Sequence, residues 1–468
     1  MYRRVIRTFA TNFSLFRIPP ESELMTKPRK ISLILFMGAL AACVVVLLFA
    51  RWRPLDTRPD SAYLALLREA YAAVIKNHVE KPDSKKMLQS MVDGMLATLD
   101  PHSAYLPPEP LHEMEVQMSG AFGGVGIELG VKDDKLTVIA PIEDTPAFRA
   151  GIQSDDHIWK IDNSLTRGMN ITAAVKLMRG EKGKPVTLTI VRNGSPKPLV
   201  FRLIRDIIKI KSLKARMLEK GYGYIRISQF QERTGSEFKQ ALADLHAAAG
   251  GSLQGLVIDL RFNPGGLLES SVAVANCFIG DDINNTVIVS IKGRGAHNSR
   301  VFNATLGEKE PRYPMVVLIN GGSASAAEIV AGALQDHKRA IVMGRQSFGK
   351  GSVQSLIPLK DGGALKLTTA RYYTPSGRSI QARGIVPDVD VPNITPLPAT
   401  ETGKEFKEKD LERSLASDGL QEPPPAKVPD APAPHGATAG DADLRKDYQL
   451  RRALELLQSI AMLKEKGF

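Results

Sequence analysis

Between residues 205 and 395 short apolar runs take turns with helical patterns, and this alternation restricts the fold more than any other feature of the chain. "GYGYIRIS", "GLVIDLRF", "MVVLING" and "RAIVMG" are strand-like, while "SEFKQALADLHAAAG", "LESSVAVANCFIG" and "SAAEIVAGALQDH" lie among them with apolar residues at helical spacing. Strands separated by helices need crossover connections. Crossovers place helices over a sheet, so this stretch reads as an α/β core with a sheet covered on both faces.

The rest of the chain makes this an α/β multidomain protein. Residues 1–30 form a basic segment, and 31–50, "ISLILFMGALAACVVVLLFA", are twenty without a charge, enough for one membrane-crossing helix. Basic residues crowd before that run, including Arg3, Arg4, Arg7, Lys27, Arg29 and Lys30, so the positive-inside bias keeps the N-terminus cytosolic and exports the remainder. The expected place is a bacterial periplasm, held by an inner-membrane anchor. A cleaved signal, a lipoprotein site at Cys43, and a true start at Met25 are the alternatives.

Residues 60–112 carry two amphipathic stripes, Leu64, Leu67, Tyr71, Val74 and then Leu88, Met91, Met95, Leu99, which predict a helical hairpin ending at Asp100-Pro101. Residues 113–204 change to short strands and Gly/Pro turns. Residues 396–443, with "EPPPAKVPDAPAPHGATAG", lack the apolar content to fold and read as a disordered linker. In 444–468 a stripe of Tyr448, Leu450, Leu454, Leu457, Ile460 and Leu463 predicts a helix that docks on its own domain or on a second copy, so a homo-oligomer is expected.

Charge and cysteine usage exclude several classes. Basic residues outnumber acidic ones 62 to 50, but they are interspersed, and only 6% of residues are aromatic, so no nucleic-acid partner is expected. Cys43 and Cys277 sit in apolar runs with no metal-ligand neighbours, which argues against a structural disulfide or a metal, and no cofactor motif occurs.

Chemistry concentrates in "GGSASAAEIVAGALQ", residues 321–335. A strand ending on a glycine turn and feeding a helix presents a side chain beside free helix N–H groups, so Ser323 and Ser325 are candidate nucleophiles. No G-x-S-x-G elbow occurs, and His337 lies past the far end of the predicted helix, where it reads as a surface residue. Ser236/Lys239 and Ser347/Lys350 have S-x-x-K spacing, the first at a solvated helix start and the second in a glycine-rich turn. "SFGKGSVQ" also holds Lys350 between Gly349 and Gly351, with Gln354 four residues on, on the same side of a strand-like start. A lysine becomes a base near neutrality only if burial lowers its pKa, and a nearby carboxylate such as Glu328 would raise it. Elsewhere, "FGGVGIEL" places Gly123, Gly124 and Gly126 at a strand entry, where successive N–H groups converge as a nest for a carboxylate, unless this is a plain β-turn.

Two resemblances sharpen these readings. With "IAPIEDTPAFRAGIQSDDHIWKIDN" and "ITAAVKLMRG", the 113–204 region resembles a PDZ domain, which captures a peptide's terminal carboxylate while the peptide adds a strand. By that resemblance Gly124, Val125, Gly126 and Ile127 form the carboxylate loop. Ser154-Asp155-Asp156 departs from the family's Pro-Gly-Asp. "GGSASAAEIVAGAL", "DLRFNPGGLL", "FGKGSVQ", "ALKLTTARYYTPSGRSIQARGIVPDV" and "GMLATLDPHSAYL", with 205–395 as the peptidase core, resemble the carboxy-terminal processing peptidases. That resemblance implies Ser325 as nucleophile, Lys350 as base and Gln354 as its orienter. The oxyanion hole would use the N–H of Ala326 and of Gly265 or Gly266. Phe262 stands where many relatives carry Asn. The implied partners are protein substrates with exposed apolar C-termini, and an adaptor protein is a further candidate. The rival readings are a non-catalytic PDZ scaffold on a peptidase-like core and a membrane-tethered esterase.

Overall fold

The computed structural model describes residues 61–280, 286–392, 406–416, 444 and 447–466. The basic segment and the 31–50 run lie outside them. Among the described residues no helix is long and apolar enough to cross a membrane. The chain divides into two units, residues 1–87 and 88–468. In the first, α1 (Ser61–Asn77) forms as expected, but its stripe is not a core: Leu64, Leu67 and Val74 are exposed. At the boundary, α2 (Ser84–Leu96) follows, and Leu88 and Met95 of its expected stripe are also exposed, as is Leu99 just beyond it. The residue of this helix that is buried is Leu96, on another face.

Beyond α2 come β1 (Ala104–Leu106) and α3 (Pro108–Ser119), then β2 (Ala121–Gly124). A small barrel-like domain follows: β3 (Ile127–Lys132), β4 (Lys135–Pro141), α4 (Pro146–Arg149), β5 (His157–Ile161), β6 (Ser164–Leu165), α5 (Ile171–Met178), β7 (Pro185–Val191) and β8 (Leu199–Ile204). Its sheet order is β3-β4-β5-β7-β8, with β6 on β5, around a core that includes Val138, Ile158, Ile161, Leu188 and Ile190. Asp155, at φ 63°, takes the left-handed place of the family's glycine, which Asp tolerates, and buried Asp156 accepts two bonds of 2.7 Å from Arg192. The chain leaves through β9 (Asp206–Lys209), which pairs antiparallel with β2, so entry and exit are tied together.

The central sheet runs β10 (Leu213–Glu219), β11 (Tyr222–Ile227), β12 (Gly255–Asp259), β15 (Met315–Ile319), β16 (Ile341–Gly344), β19 (Val389–Asp390), parallel from β11 onward. Every residue of β12 and β15 is buried. The period of two divides them between faces: Leu256, Ile258, Val317 and Ile319 join the core beneath α6 (Thr234–Ala249), α7 (Leu268–Asn276) and α8 (Ala326–Asp336). Val257, Val316 and Leu318 join Leu450, Leu454 and Leu457 of α9 (Tyr448–Glu465) on the other. At ~1.5–3 kcal/mol for each fully buried leucine, α9 is an integral layer of the core. Leu450, Leu454 and Leu457 of its stripe are therefore used at home, whereas Leu463 is exposed. A second sheet, β1-β18-β13-β14 with β17 on β18, is made by β13 (Val287–Gly293), β14 (Arg300–Asn303), β17 (Ser352–Pro358) and β18 (Ala364–Tyr373).

The expected linker needs one correction. Residues 406–416 are ordered against the core, and Glu408 is fully buried there. Eleven residues within a Pro-rich stretch are too few to change its average composition.

Candidate active site

β15 ends in the turn Asn320-Gly321-Gly322, and α8 starts at Ala326. Ser323 is fully buried; its Oγ donates to the Leu260 carbonyl at 2.8 Å and accepts from Asn320 N–H at 2.9 Å. It closes the turn and is removed as a nucleophile. Ser325, partly exposed at the helix N-terminus, has φ 54° and ψ −114°, a conformation that L-residues rarely hold and that the surrounding structure must impose.

Glu328, one turn into α8, does much of the imposing. Fully buried, it accepts at Oε2 from the N–H of Ser325 (2.7 Å) and Lys350 (2.9 Å), and at Oε1 from Ser347 Oγ (2.5 Å) and Gly349 N–H (2.8 Å). The main chains of Ser325 and Lys350 thus meet at one carboxylate oxygen. Burial pushes the Glu328 carboxyl up to about 7 against the pull of those donors. Sequence reasoning treated Glu328 only as a neighbour of the lysine, although Ser-Ala-Ala-Glu before an apolar run is a capping-box signal that could have found it.

The glycines around Lys350 are required by crowding. A Cβ on Gly351 would lie 2.3 Å from Gln381 N, and Gly349 has φ 102° with the 382–384 backbone against it. Among the described residues the Lys350 amine has no hydrogen-bond or ion-pair partner. Burial lowers its pKa and nearby Lys366 adds to that, while Glu408, Glu328 and Asp100 oppose.

Gln354 is not joined to that amine. Its Nε2 donates to Ser352 Oγ at 2.9 Å and Thr368 Oγ1 at 3.4 Å. Lys350 precedes β17 and a bulge falls at Val353/Gln354, so the alternation expected to aim both side chains one way is broken. His337 caps the far end of the 11-residue helix α8, about 16 Å along its axis, with Nε2 2.7 Å from the Val287 carbonyl oxygen.

The "NPGG" loop runs beside Ser325. A Cβ on Gly265 would stand 2.8 Å from Ser325 Cβ and 3.0 Å from Ala326 N. Gly265 N–H donates to Asn263 Oδ1 at 2.8 Å, whereas the N–H groups of Gly266 and Ala326 have no partner among the described residues. At the loop's start Phe262 holds φ 57° with its side chain exposed, and Arg261 grips Asp259 (2.9 and 2.7 Å) and Asp447 (2.9 and 2.6 Å), the N-cap of α9.

In the small domain, Gly126 has φ 78°, and a Cβ there would fall 2.3 Å from Thr145 Cβ. Its carbonyl accepts from Ile142 N–H at 2.9 Å, and that of Val125 from Ala147 N–H at 2.9 Å. The N–H groups of Val125 and Gly126, both buried residues, have no partner among the described residues, while Gly124 ends β2 and Ile127 opens β3.

A PDZ-type domain beside an α/β core whose strand-to-helix turn carries a serine defines a serine peptidase. Residues 221–391 match peptidase family S41 and residues 123–200 match the PDZ domain. A carboxy-terminal-processing protease of Bartonella bacilliformis is 44% identical over 396 residues, 84% of this chain and 88% of that protein. The carboxy-terminal processing protease CtpB of Bacillus subtilis is 36% identical over 340 residues, 72% and 69% of the two chains. A solved photosystem II D1 C-terminal processing protease is 29% identical, covers 70% of this chain and 92% of its own, and has a TM-score of 0.41. The chain belongs to the carboxy-terminal-processing proteases of peptidase family S41.

Proposed function

We propose that this peptidase cleaves exported proteins with a Ser325/Lys350 centre after its PDZ domain has taken hold of their C-termini. One observation carries the reading: Ser325 and Lys350 are drawn together on the Glu328 carboxylate, and the amine of the part-buried lysine has no hydrogen-bond or ion-pair partner among the described residues. A neutral Lys350 removes the Ser325 Oγ proton as that oxygen attacks the peptide carbonyl carbon. The oxyanion forms beside the Ala326 and Gly266 N–H groups, Gly266 being preferred because Gly265 already donates to Asn263. The lysine ammonium protonates the leaving amine, and water, deprotonated by the same lysine, then hydrolyses the acyl-enzyme to free acid and Ser325. Gln354 acts at one remove, holding the Ser352 end of β17.

The unpartnered N–H groups of Val125 and Gly126 are suited to a terminal carboxylate, with Gly124 and Ile127 flanking the loop. Substrates then need a free C-terminus. For export, the basic-then-apolar N-terminus supports translocation, and a reporter fused after residue 60 should be active only outside the cytosol; a cytosolic reporter would rule that out.

A serine-directed fluorophosphonate tests the centre. It should label wild-type protein at Ser325, and labelling should vanish in Ser325→Ala and Lys350→Ala. An unlabelled wild type would return the chain to a PDZ scaffold, and small-ester turnover indifferent to a peptide carboxyl end would make it an esterase.

A further inference from the structure

The segment 406–416 lies some 60 residues beyond the lysine loop in sequence yet is bonded to one end of that loop directly and to the other through Gln381. Glu408 N–H donates to the Phe348 carbonyl at 3.1 Å, and Lys407 Nζ to the Gln346 carbonyl at 2.6 Å. On the far side of Lys350, Gly351 N–H donates to Gln381 Oε1 at 2.9 Å. The same Gln381 amide donates through Nε2 to Glu408 Oε1 and to the Leu415 carbonyl, each at 3.1 Å. Gln381 and Glu408 are both fully buried. An amide has two ends, and only one orientation offers its oxygen to Gly351; two acceptors on the nitrogen side select that orientation. His102 Nε2, 2.7 Å from the same Glu408 Oε1, also holds the carboxylate.

We propose that Glu408 is a positioning residue for Lys350, acting through Gln381 to fix the Gly349–Gly351 turn that carries the amine. The proposal rests on the reading of Lys350 as the base. A purely structural plug would have no cause to be a buried carboxylate, and the Oε2 atom of Glu408 has no hydrogen-bond partner among the described residues. A carboxyl group at this place acts electrostatically on the lysine amine. The ionisable groups that act on Lys350 are Lys366, Glu408, Glu328 and Asp100, and Glu408 itself is faced by His102. Of these, Glu408, Glu328 and Asp100 favour the protonated amine, so Glu408 fixes the geometry while contributing to the pH at which the base becomes available.

The test uses the full chain and the rate of Ser325 labelling by a fluorophosphonate from pH 5 to 10, a readout independent of substrate identity. Glu408→Ala and Gln381→Ala should each lower the plateau rate on the order of tenfold or more, as a displaced general base does. The double variant should be no slower than the slower single one, because both changes break one linkage. Glu408→Gln, isosteric and still an acceptor for Gln381, should return the plateau to within about threefold of wild type and move the rising limb to lower pH. Additive losses in the double variant would overturn the proposal, as would a Glu408→Gln limb that stays in place or moves up. Thermal unfolding of each variant separates slow labelling from loss of fold, and Glu408→Gln keeps the test open if Glu408→Ala does not fold. Labelling of Lys350→Ala at the wild-type rate would instead remove the base assignment itself.

Discussion

The Ser325 corner and the PDZ loop both present backbone N–H groups without partners among the described residues, but they are built from different materials. The loop gets its left-handed turn from Gly126, which adopts φ 78° without steric cost. The corner has Ser325 at φ 54° and Phe262 at φ 57°, where a side chain is disfavoured. A loop that only binds needs no side chain at its turn. Ser325, the proposed nucleophile, has to present a side chain, so its turn is strained and the surroundings must hold it: five buried residues in β15 before it, a buried helix after it, and Glu328 beneath.

Removing the chemistry from the corner should give the largest effect. Lys350→Ala, Lys350→Arg and Ser325→Ala should each lower kcat for a peptide substrate by at least about a thousandfold, with the arginine inert because it stays charged. His337→Ala should leave turnover unchanged. Activity should rise with pH through the lowered Lys350 pKa. The sign for stability follows: the folded chain binds fewer protons at Lys350 than the unfolded chain, so this residue adds stability as pH climbs from its depressed value toward the ordinary lysine range. A dead His337→Ala beside an active Lys350→Ala would bring back a histidine base.

Next in size is the support under the corner. Glu328→Ala strands four donors and should cost about 3 kcal/mol or more in chemical denaturation. The pH dependence distinguishes the carboxylate from a mere filler. Its folded pKa, about 7, lies above the ordinary 4.5, so its contribution is fully present below 4.5 and lost as pH rises through 7. Glu328→Gln should flatten that falling limb. An unchanged limb would mean that other groups set it.

How much of this was legible depended on how local the cause was. The α/β alternation, the turn before Ser325 and the glycine-flanked lysine are written in adjacent residues, and the structure carries each at the expected place. What escaped depends on distant chain. The partner of the α9 stripe is the far face of a sheet most of whose strands lie more than a hundred residues earlier, and nothing in the stripe distinguishes that face from a second copy. The bulge at Val353/Gln354 redirects Gln354 without leaving a Gly or Pro to announce it. Glu408 is one acidic residue in a polar stretch, and only its contacts with His102 and Gln381 set it apart.

On the PDZ side a smaller, purely binding effect is expected. Gly126→Ala forces a methyl onto Thr145 and an L-residue into φ 78°, which should distort the loop. KM for a substrate with a free C-terminus should rise about tenfold, roughly 1.4 kcal/mol, with kcat kept, and the kinetics of an amidated substrate should not respond to the substitution. A fall in kcat with KM unmoved would show that the loop acts on the corner rather than on the substrate.

The smallest effect addresses the strain directly. Phe262→Asn puts at φ 57° a residue that enters the left-handed region far more readily, while the backbone bond from this position to Asn320 Oδ1 (3.0 Å) is kept. The ring is 59% exposed, so little burial is lost with it. It does lie against Gly322, where an added Cβ would be 2.9 Å from the ring's Cδ1, and losing that contact offsets part of the gain. The net should be a stabilisation of about 0.5–1 kcal/mol, read as a raised Tm. The equivalent relief is impossible at Ser325 without removing the nucleophile. A Tm that falls instead would mean that the Phe262 ring contributes more through Gly322 than its backbone costs, leaving Ser325 as the strained residue of the corner that matters.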